Sequence, residues 1–269
     1  MPELPEVETI RRDLELKVLN KKIKKVSIFL QKSVLNNKKF KSYLLDSKII
    51  SIQRRGKLLI LELDNKKYLT IHLRMTGQLI YGKRIIPEKH TRVALEFNDN
   101  NILLFNDVRQ FGYLKIINNQ ELLKILESYG IEPLTKNFKL LDFIKILKSS
   151  KRKLKQVLLD QHLIAGLGNI YVDEICFDAN ILPTRISNSL NREEIRKLFY
   201  SCNKIIKKAV LMRGTTFSDY KDIGGREGNY LKVLKVYGRN TKNCIKCNNK
   251  INKIKLFGRG THFCYYCQK

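Results

Sequence analysis

Near the start of the chain, VETIRRDLELKVL puts Val7, Ile10, Leu14 and Val18 on one face at helical spacing, with Pro5 in the first turn. That spacing predicts an amphipathic helix. From about residue 23 to 115 the pattern changes to short apolar runs, among them KLLILEL, KYLTIHL, RVALEF, NILLF and GYLKII, separated by Asn, Asp, Gly and Pro. These predict a mostly antiparallel β-domain, folded as a sandwich or flattened barrel. After YGIEPLTK (129–136) longer helical patterns appear: FIKILKSSKRKLKQVLLDQHL, NIYVDEICFDA and REEIRKLFYSCNKIIKKAVLM. The Gly-rich DIGGREGNY (222–230) interrupts them as a loop, and a cysteine-bearing tail follows. The expected fold is α+β, divided at 1–130, 131–234 and 235–269.

Composition narrows the function. With 53 Lys+Arg against 25 Asp+Glu the formal charge is +28, which would attract a polyanion, nucleic acid being the commonest. A general bias toward Lys would raise the charge with no partner at all, so charge alone does not decide. No uncharged apolar run reaches the roughly 20 residues needed to span a bilayer. The start lacks the basic and apolar regions of a secretory signal. A soluble, monomeric, cytoplasmic protein is expected.

Four of the six cysteines form C-x2-C-x16-C-x2-C at Cys244, Cys247, Cys264 and Cys267. In a chain with no export signal, two such knuckles favour four thiolates on one structural Zn2+ over disulfides or redox pairs. Four cysteine ligands leave no open position for catalytic water. Cys176 and Cys202 fall in helical patterns and read as small buried hydrophobes.

The opening MPELPEVETI holds Glu3, Glu6 and Glu8 and no basic residue. Removal of Met1 would expose the secondary amine of Pro2. An α-amino group has a pKa near 7.7–8.0, so roughly a tenth of it is unprotonated at pH 7, far more than for Lys. Such an amine can attack a sugar carbon if an acid stands beside it, and Glu3 is one peptide away. Glu6 is suited to balance the helix N-terminus. Alternatively, the stretch is simply an acidic first helical turn.

The stretch does not stand alone. PELPEVET, RRGK (54–57), HLRMTG (72–77), KHTRV (89–93), NDVRQFG (106–112), GIEPL (130–134), DQHLIAGLGNIYVDE (160–174), VYGR (236–239) and FGRGTHFCYYCQ (257–268) follow in an order that resembles formamidopyrimidine-DNA glycosylase nearly end to end. The resemblance implies a bifunctional DNA glycosylase and abasic-site lyase acting on damaged double-stranded DNA. Its fold would be an N-terminal helix with a β-sandwich, then a helix-two-turn-helix domain and a β-hairpin zinc finger. The catalytic set would be Pro2 as the nucleophile, Glu3 as the general acid and Lys57 as a basic contact close to the lesion; the alternative for Lys57 is a solvated strand-end lysine. Flipping a base out leaves a hole, and Met75, Arg109 and Phe111 match the residues that fill it. Asn169, in GLGN, and Arg259, on a hairpin turn between glycines, would hold phosphates. His72 and His90 match positions near the DNA backbone, or are structural histidines.

Two features depart from the family pattern. Arg213-Gly214-Thr215-Thr216 stands where Gly-Gly-Thr or Gly-Gly-Ser is common, and the loop beyond reads KDIGGREGNY. That region would close over the everted base, so lesion preference transfers least. The rival readings are an endonuclease VIII-like enzyme for oxidised pyrimidines and a non-catalytic, zinc-containing DNA binder. Oxidised purines, 8-oxoguanine and formamidopyrimidines, are the expected substrates.

Overall fold

The computed structural model of the chain describes residues 1–35, 39–216 and 221–269. They gather into two compact units, Met1–Ser128 with Met212–Asn229, and Tyr129–Leu211 with Tyr230–Lys269. These limits cut the chain differently from the expected 1–130, 131–234 and 235–269. Residues 212–229 join the first unit because Ile223 enters its core and its carbonyl accepts the Tyr81 N–H at 2.9 Å. The tail joins the helices through a small shared core of Phe177, Val236, Cys244, Ile251 and Cys264.

In the first unit, α1 (Leu4–Val18) is followed by β1 (Ile23–Ile28), β2 (Val34–Leu35), α2 (Phe40–Leu44), β3 (Ile49–Arg55), β4 (Leu58–Leu63) and β5 (Tyr68–His72). Then come β6 (Gly77–Lys83), β7 (Thr91–Phe97), β8 (Asn101–Asp107), β9 (Tyr113–Ile117) and α3 (Asn119–Ser128). The strands make two sheets, ordered β1-β7-β8-β6 and β2-β9-β5-β4-β3, antiparallel except for the short parallel pair β2–β9. Alternate residues of facing strands, Leu59, Leu61, Leu69 and Ile71 on one sheet and Val93, Leu95, Leu103 and Phe105 on the other, share one core. Val7, Ile10, Leu14 and Val18 of α1 are buried in the same core, each contributing about 1.5–3 kcal/mol over an exposed side chain.

Strand β4 reads LLILEL rather than alternating because it is covered on both faces. Leu58 and Ile60 point away from the sandwich core and pack with Ile117 and with Leu122 of α3. Helix α3 lies between the last β-run and YGIEPLTK, where no element was expected.

The second unit contains α4 (Leu140–Lys148), α5 (Leu154–Leu159), α6 (Asn169–Asp178) and α7 (Arg192–Leu211). FIKILKSSKRKLKQVLLDQHL reads as one continuous helical pattern but is split between α4 and α5. At the break the Ser149 hydroxyl bonds the Ile146 carbonyl at 3.1 Å, and the Ser150 hydroxyl accepts the Arg152 N–H at 3.3 Å. Serine side chains that take up backbone groups in this way compete with the helix ladder. Helix α6 is buried almost throughout, including Asp173 and Glu174. The tail forms an antiparallel hairpin of β10 (Asn252–Leu256) and β11 (Arg259–Phe263). Among the described residues no helix is long and apolar enough to cross a membrane.

Candidate functional site

Pro2 and Glu3 are buried at the start of α1, where Glu3 is the N-cap residue, while Met1 ahead of them is exposed. A second carboxylate braces this start. Glu6 Oε2 accepts the Glu3 backbone N–H at 2.7 Å, and Glu6 Oε1 accepts the Thr215 backbone N–H at 2.7 Å. Gly214 makes this possible: its φ is +78°, and a Cβ there would lie 2.6 Å from Glu6 Oε1. Gly228 packs behind it, where a Cβ would meet the Gly214 carbonyl oxygen at 2.4 Å. The sequence reading gave Glu6 only to the helix N-terminus; its second tie, to a residue more than two hundred positions away, had no local signal.

Lys57 is buried in the two-residue turn between β3 and β4, after Gly56 in the left-handed region at φ +57°. Across the ladder, His72 pairs with Leu58, and its ring tilts against Tyr113 at 5.7 Å. Burial, then the positive charges of Arg74 and Lys57, bring the His72 imidazole down to about 3. It is therefore neutral at pH 7, in keeping with Nδ1 accepting the Arg74 N–H at 3.1 Å. Glu8 bonds Arg54 Nε at 3.0 Å and also binds Arg11 and Arg12. Burial opposes its ionisation, yet the three guanidinium groups prevail and hold it at about 2.

Met75, Arg109 and Phe111 lie on two exposed turns that the β6–β8 pairing brings side by side, Gly77 facing Asp107. Thr76 ties the turns together: its hydroxyl bonds Asp107 Oδ1 and accepts the Arg109 N–H at 3.0 Å. Asp107 Oδ2 accepts the Gly112 N–H at 2.7 Å, and the Arg109 guanidinium lies over the Phe111 ring at 5.0 Å. The His90 carbonyl accepts the Asp107 N–H at 2.9 Å, so its backbone joins the same cluster.

In the second unit Asn169 opens α6 directly after Gly166-Leu167-Gly168, and its Nδ2 donates to the Gly260 carbonyl at 3.0 Å. Its Oδ1 is buried without a hydrogen-bond partner among the described residues. Lys155 Nζ bonds Asp173 Oδ1 and, at 3.2 Å, the same Gly260 carbonyl. Asp173 Oδ2 accepts the His262 N–H at 2.8 Å. The ion pair is almost sealed, the side chains being 2% and 0% exposed. Glu174 accepts backbone N–H groups from Lys235, Val236 and Tyr237, but burial outweighs them and raises its carboxyl. None of these four residues, Lys155, Asp173, Glu174 and His262, was singled out from sequence; the signal was the adjacent acids Asp173 and Glu174 amid the apolar middle of α6.

The hairpin turn itself is Phe257-Gly258, both with positive φ, and Arg259 is the exposed first residue of β11 rather than the turn tip. A cleft of about 260 Å³ beside it is lined by three cations, Arg152, Lys155 and Arg259, with Asp160 and Gln156 and the apolar Leu159, Leu256 and Phe257.

The Sγ atoms of Cys244, Cys247, Cys264 and Cys267 lie within 4.8 Å of one another, with Cys244–Cys267 at 3.8 Å and Cys247–Cys264 at 3.4 Å. Zn–S bonds of 2.3 Å in a tetrahedron imply edges of about 3.8 Å. The donor set therefore fits a metal ion of that size. Cys176 and Cys202 are buried, and burial raises both thiols.

Residues 1–114 match the formamidopyrimidine-DNA glycosylase N-terminal domain, and residues 129–221 match the H2TH domain of the same enzyme. Formamidopyrimidine-DNA glycosylase of Carboxydothermus hydrogenoformans is 42% identical over 273 residues, with both chains fully covered. That of Listeria monocytogenes is 41% identical over 274 residues, again with full coverage of both. Among solved structures, a variant of the Lactococcus lactis enzyme in complex with DNA containing Fapy-dG superposes with a TM-score of 0.94 at 38% identity, all of both chains covered. A Lactococcus lactis complex with DNA containing an abasic site gives 0.94 at 38% identity over 99% of each chain. The chain thus belongs to the formamidopyrimidine-DNA glycosylase family and is a DNA-repair glycosylase and abasic-site lyase of that kind.

Proposed function

We propose that the protein removes oxidised purines, 8-oxoguanine and formamidopyrimidines, from duplex DNA through a covalent link to Pro2, and then cuts the strand at the abasic site. The observation that carries the reading is the burial and bracing of Pro2 and Glu3 at the head of α1. An acidic helix turn with no further role would be solvated and frayed, and an inert DNA binder would have no use for a helix start that Glu6 ties, by one bond each, to the Glu3 and Thr215 backbone N–H groups.

Once Met1 is removed, the Pro2 nitrogen lone pair attacks C1′ of the deoxyribose. The bond from C1′ to the base breaks and its electrons leave with the base, which takes up the proton lost from the Pro2 nitrogen, while Glu3 gives its proton to the sugar ring oxygen as the C1′–O4′ bond breaks and the ring opens. The resulting iminium acidifies the C2′ hydrogen. Loss of that proton expels the 3′ phosphate, and a second elimination expels the 5′ phosphate. Met75, Arg109 and Phe111, exposed and linked through Thr76 and Asp107, suit filling the space left by an everted base. Lys57, His72, His90, Asn169 and Arg259 are our candidates for DNA-backbone contacts; a neutral His72 would act as a hydrogen-bond partner and not as a cation. We assign Zn2+ to Cys244, Cys247, Cys264 and Cys267, where it would cross-link the two knuckles that flank the hairpin of Arg259.

Relatives crystallised with Fapy-dG and with abasic DNA support this substrate class. One Lactococcus lactis complex holds DNA with an oxidised pyrimidine, so the lesion range is best defined by direct comparison. The test is borohydride trapping on duplexes carrying 8-oxoguanine, formamidopyrimidine-guanine, an oxidised pyrimidine or an abasic site. Trapped adduct on the purine lesions is expected. No adduct with protein shown by mass spectrometry to begin at Pro2 would refute the covalent reading.

A further inference from the structure

Just past the end of α7 the chain adopts a backbone conformation that side chains disfavour. Helices often end on a glycine in the left-handed region, because a Cβ there crowds the neighbouring carbonyl. Here that conformation belongs to Arg213, at φ +62°, two residues beyond Leu211. The side chain offsets the strain by reaching two carboxylates. Arg213 Nη2 bonds Asp13 of α1 and Asp222, and its Nε donates to Asp222 Oδ2 at 3.1 Å. Asp222 is buried and fully engaged: Oδ1 accepts the Gly224 and Arg226 N–H groups at 2.9 Å, and Oδ2 also bonds Arg226 Nε at 2.9 Å.

The two residues after Arg213 are the ones that meet Glu6. Gly214 lies against its carboxylate and Thr215 donates to Oε1, while Oε2 holds the Glu3 N–H. An unbroken series of bonds therefore runs from the Asp13–Arg213–Asp222 triad to the peptide next to Pro2. All of it lies within the first unit.

We propose that Arg213, held by Asp13 and Asp222, is a positioning residue for the terminal nucleophile: the triad fixes the 213–215 turn, the turn orients Glu6, and Glu6 sets Pro2 and Glu3. This rests on the reading of Pro2 as nucleophile. It differs from a role in covering the damaged base, since it acts even on a substrate with no base.

The test follows that difference. Single-turnover borohydride trapping at a preformed abasic site, with enzyme saturating and active fraction titrated, is compared for wild type, Arg213→Gln, Arg213→Gly and Arg213→Lys. Affinity for the same duplex and the melting temperature are measured alongside. Trapping by Arg213→Gln should slow about tenfold at unchanged affinity, since small misplacements of reacting groups cost rate of this order. Arg213→Gly should be as slow although it relieves the backbone strain and melts no lower than wild type, and Arg213→Lys should recover part of the rate. Wild-type trapping rates in both the Gln and Gly variants would overturn the inference. So would a slow Gln variant of lowered melting temperature beside a fast Gly variant, which marks a purely structural role. If wild type itself forms no adduct, the Pro2 reading fails first and takes this inference with it.

Discussion

A single carboxylate can have two unrelated obligations, and Glu6 is the case in point. Its place in the first turn of α1 was legible from sequence; its bond to the Thr215 N–H was not. Gly214→Ala tests the contact. A methyl group 2.6 Å from Glu6 Oε1, on a backbone at φ +78°, must displace either the turn or the carboxylate. We expect a stability loss on the order of 2 kcal/mol in urea denaturation and a matching or larger loss of single-turnover rate. Two titrations belong to the same scale. His72 goes from an ordinary 6.5 to about 3 on folding, so between those values the unfolded chain binds a proton that the folded chain refuses. Its contribution to stability is complete above about pH 6.5 and drains away as pH falls toward 3. Glu8, ordinarily 4.5 and here about 2, has the same sign: its contribution is complete above 4.5 and is lost between 4.5 and 2. Urea midpoints for wild type and His72→Gln across pH 4.5–7.5 should converge at the acid end; parallel curves would show that His72 is not responsible.

At the scale of elements, periodicity was a good guide wherever one face was buried. Val7, Ile10, Leu14 and Val18 of α1 fulfil the expected face. It misled where local chemistry intervened, as at Ser149 and Ser150, whose hydroxyls break an apparently continuous helix. In α3 the period is present, Leu122, Ile125 and Leu126 recurring at helical spacing, but the helix is short and its partner, the outer face of β4, is an unrelated segment. The hairpin shows the same limit. Four cysteines announced a metal site, but the anchor of the hairpin is the sealed Lys155–Asp173 pair, which also holds the His262 N–H. Asp173→Asn leaves a buried ammonium without its counter-charge and should cost about 3–5 kcal/mol. Cys244→Ser should abolish stoichiometric zinc in the purified protein and weaken DNA binding; a variant that keeps full affinity without metal would show that the knuckles do not support the interface.

For the whole molecule the relevant quantity is the charge of +28. If it serves DNA binding, log affinity falls linearly with log salt, and six or more neutralised phosphates would lose about 10³-fold or more between 50 and 200 mM. A slope near zero would leave the excess lysine as mere compositional bias. The family, its glycosylase class and the clustering of the four cysteines were all legible in the linear order of motifs, because each is a short run whose residues act together: PELPE, GLGN, CxxC. Helix and strand faces were legible for the same reason, since their periods are local. What the tertiary structure alone decided are the ties between distant carboxylates and backbone N–H groups: Glu6 with Thr215, Asp13 and Asp222 with Arg213, Asp173 with His262, Glu174 with residues 235–237. A buried charge takes whichever donor the fold brings to it, and that choice leaves no period or spacing in the chain.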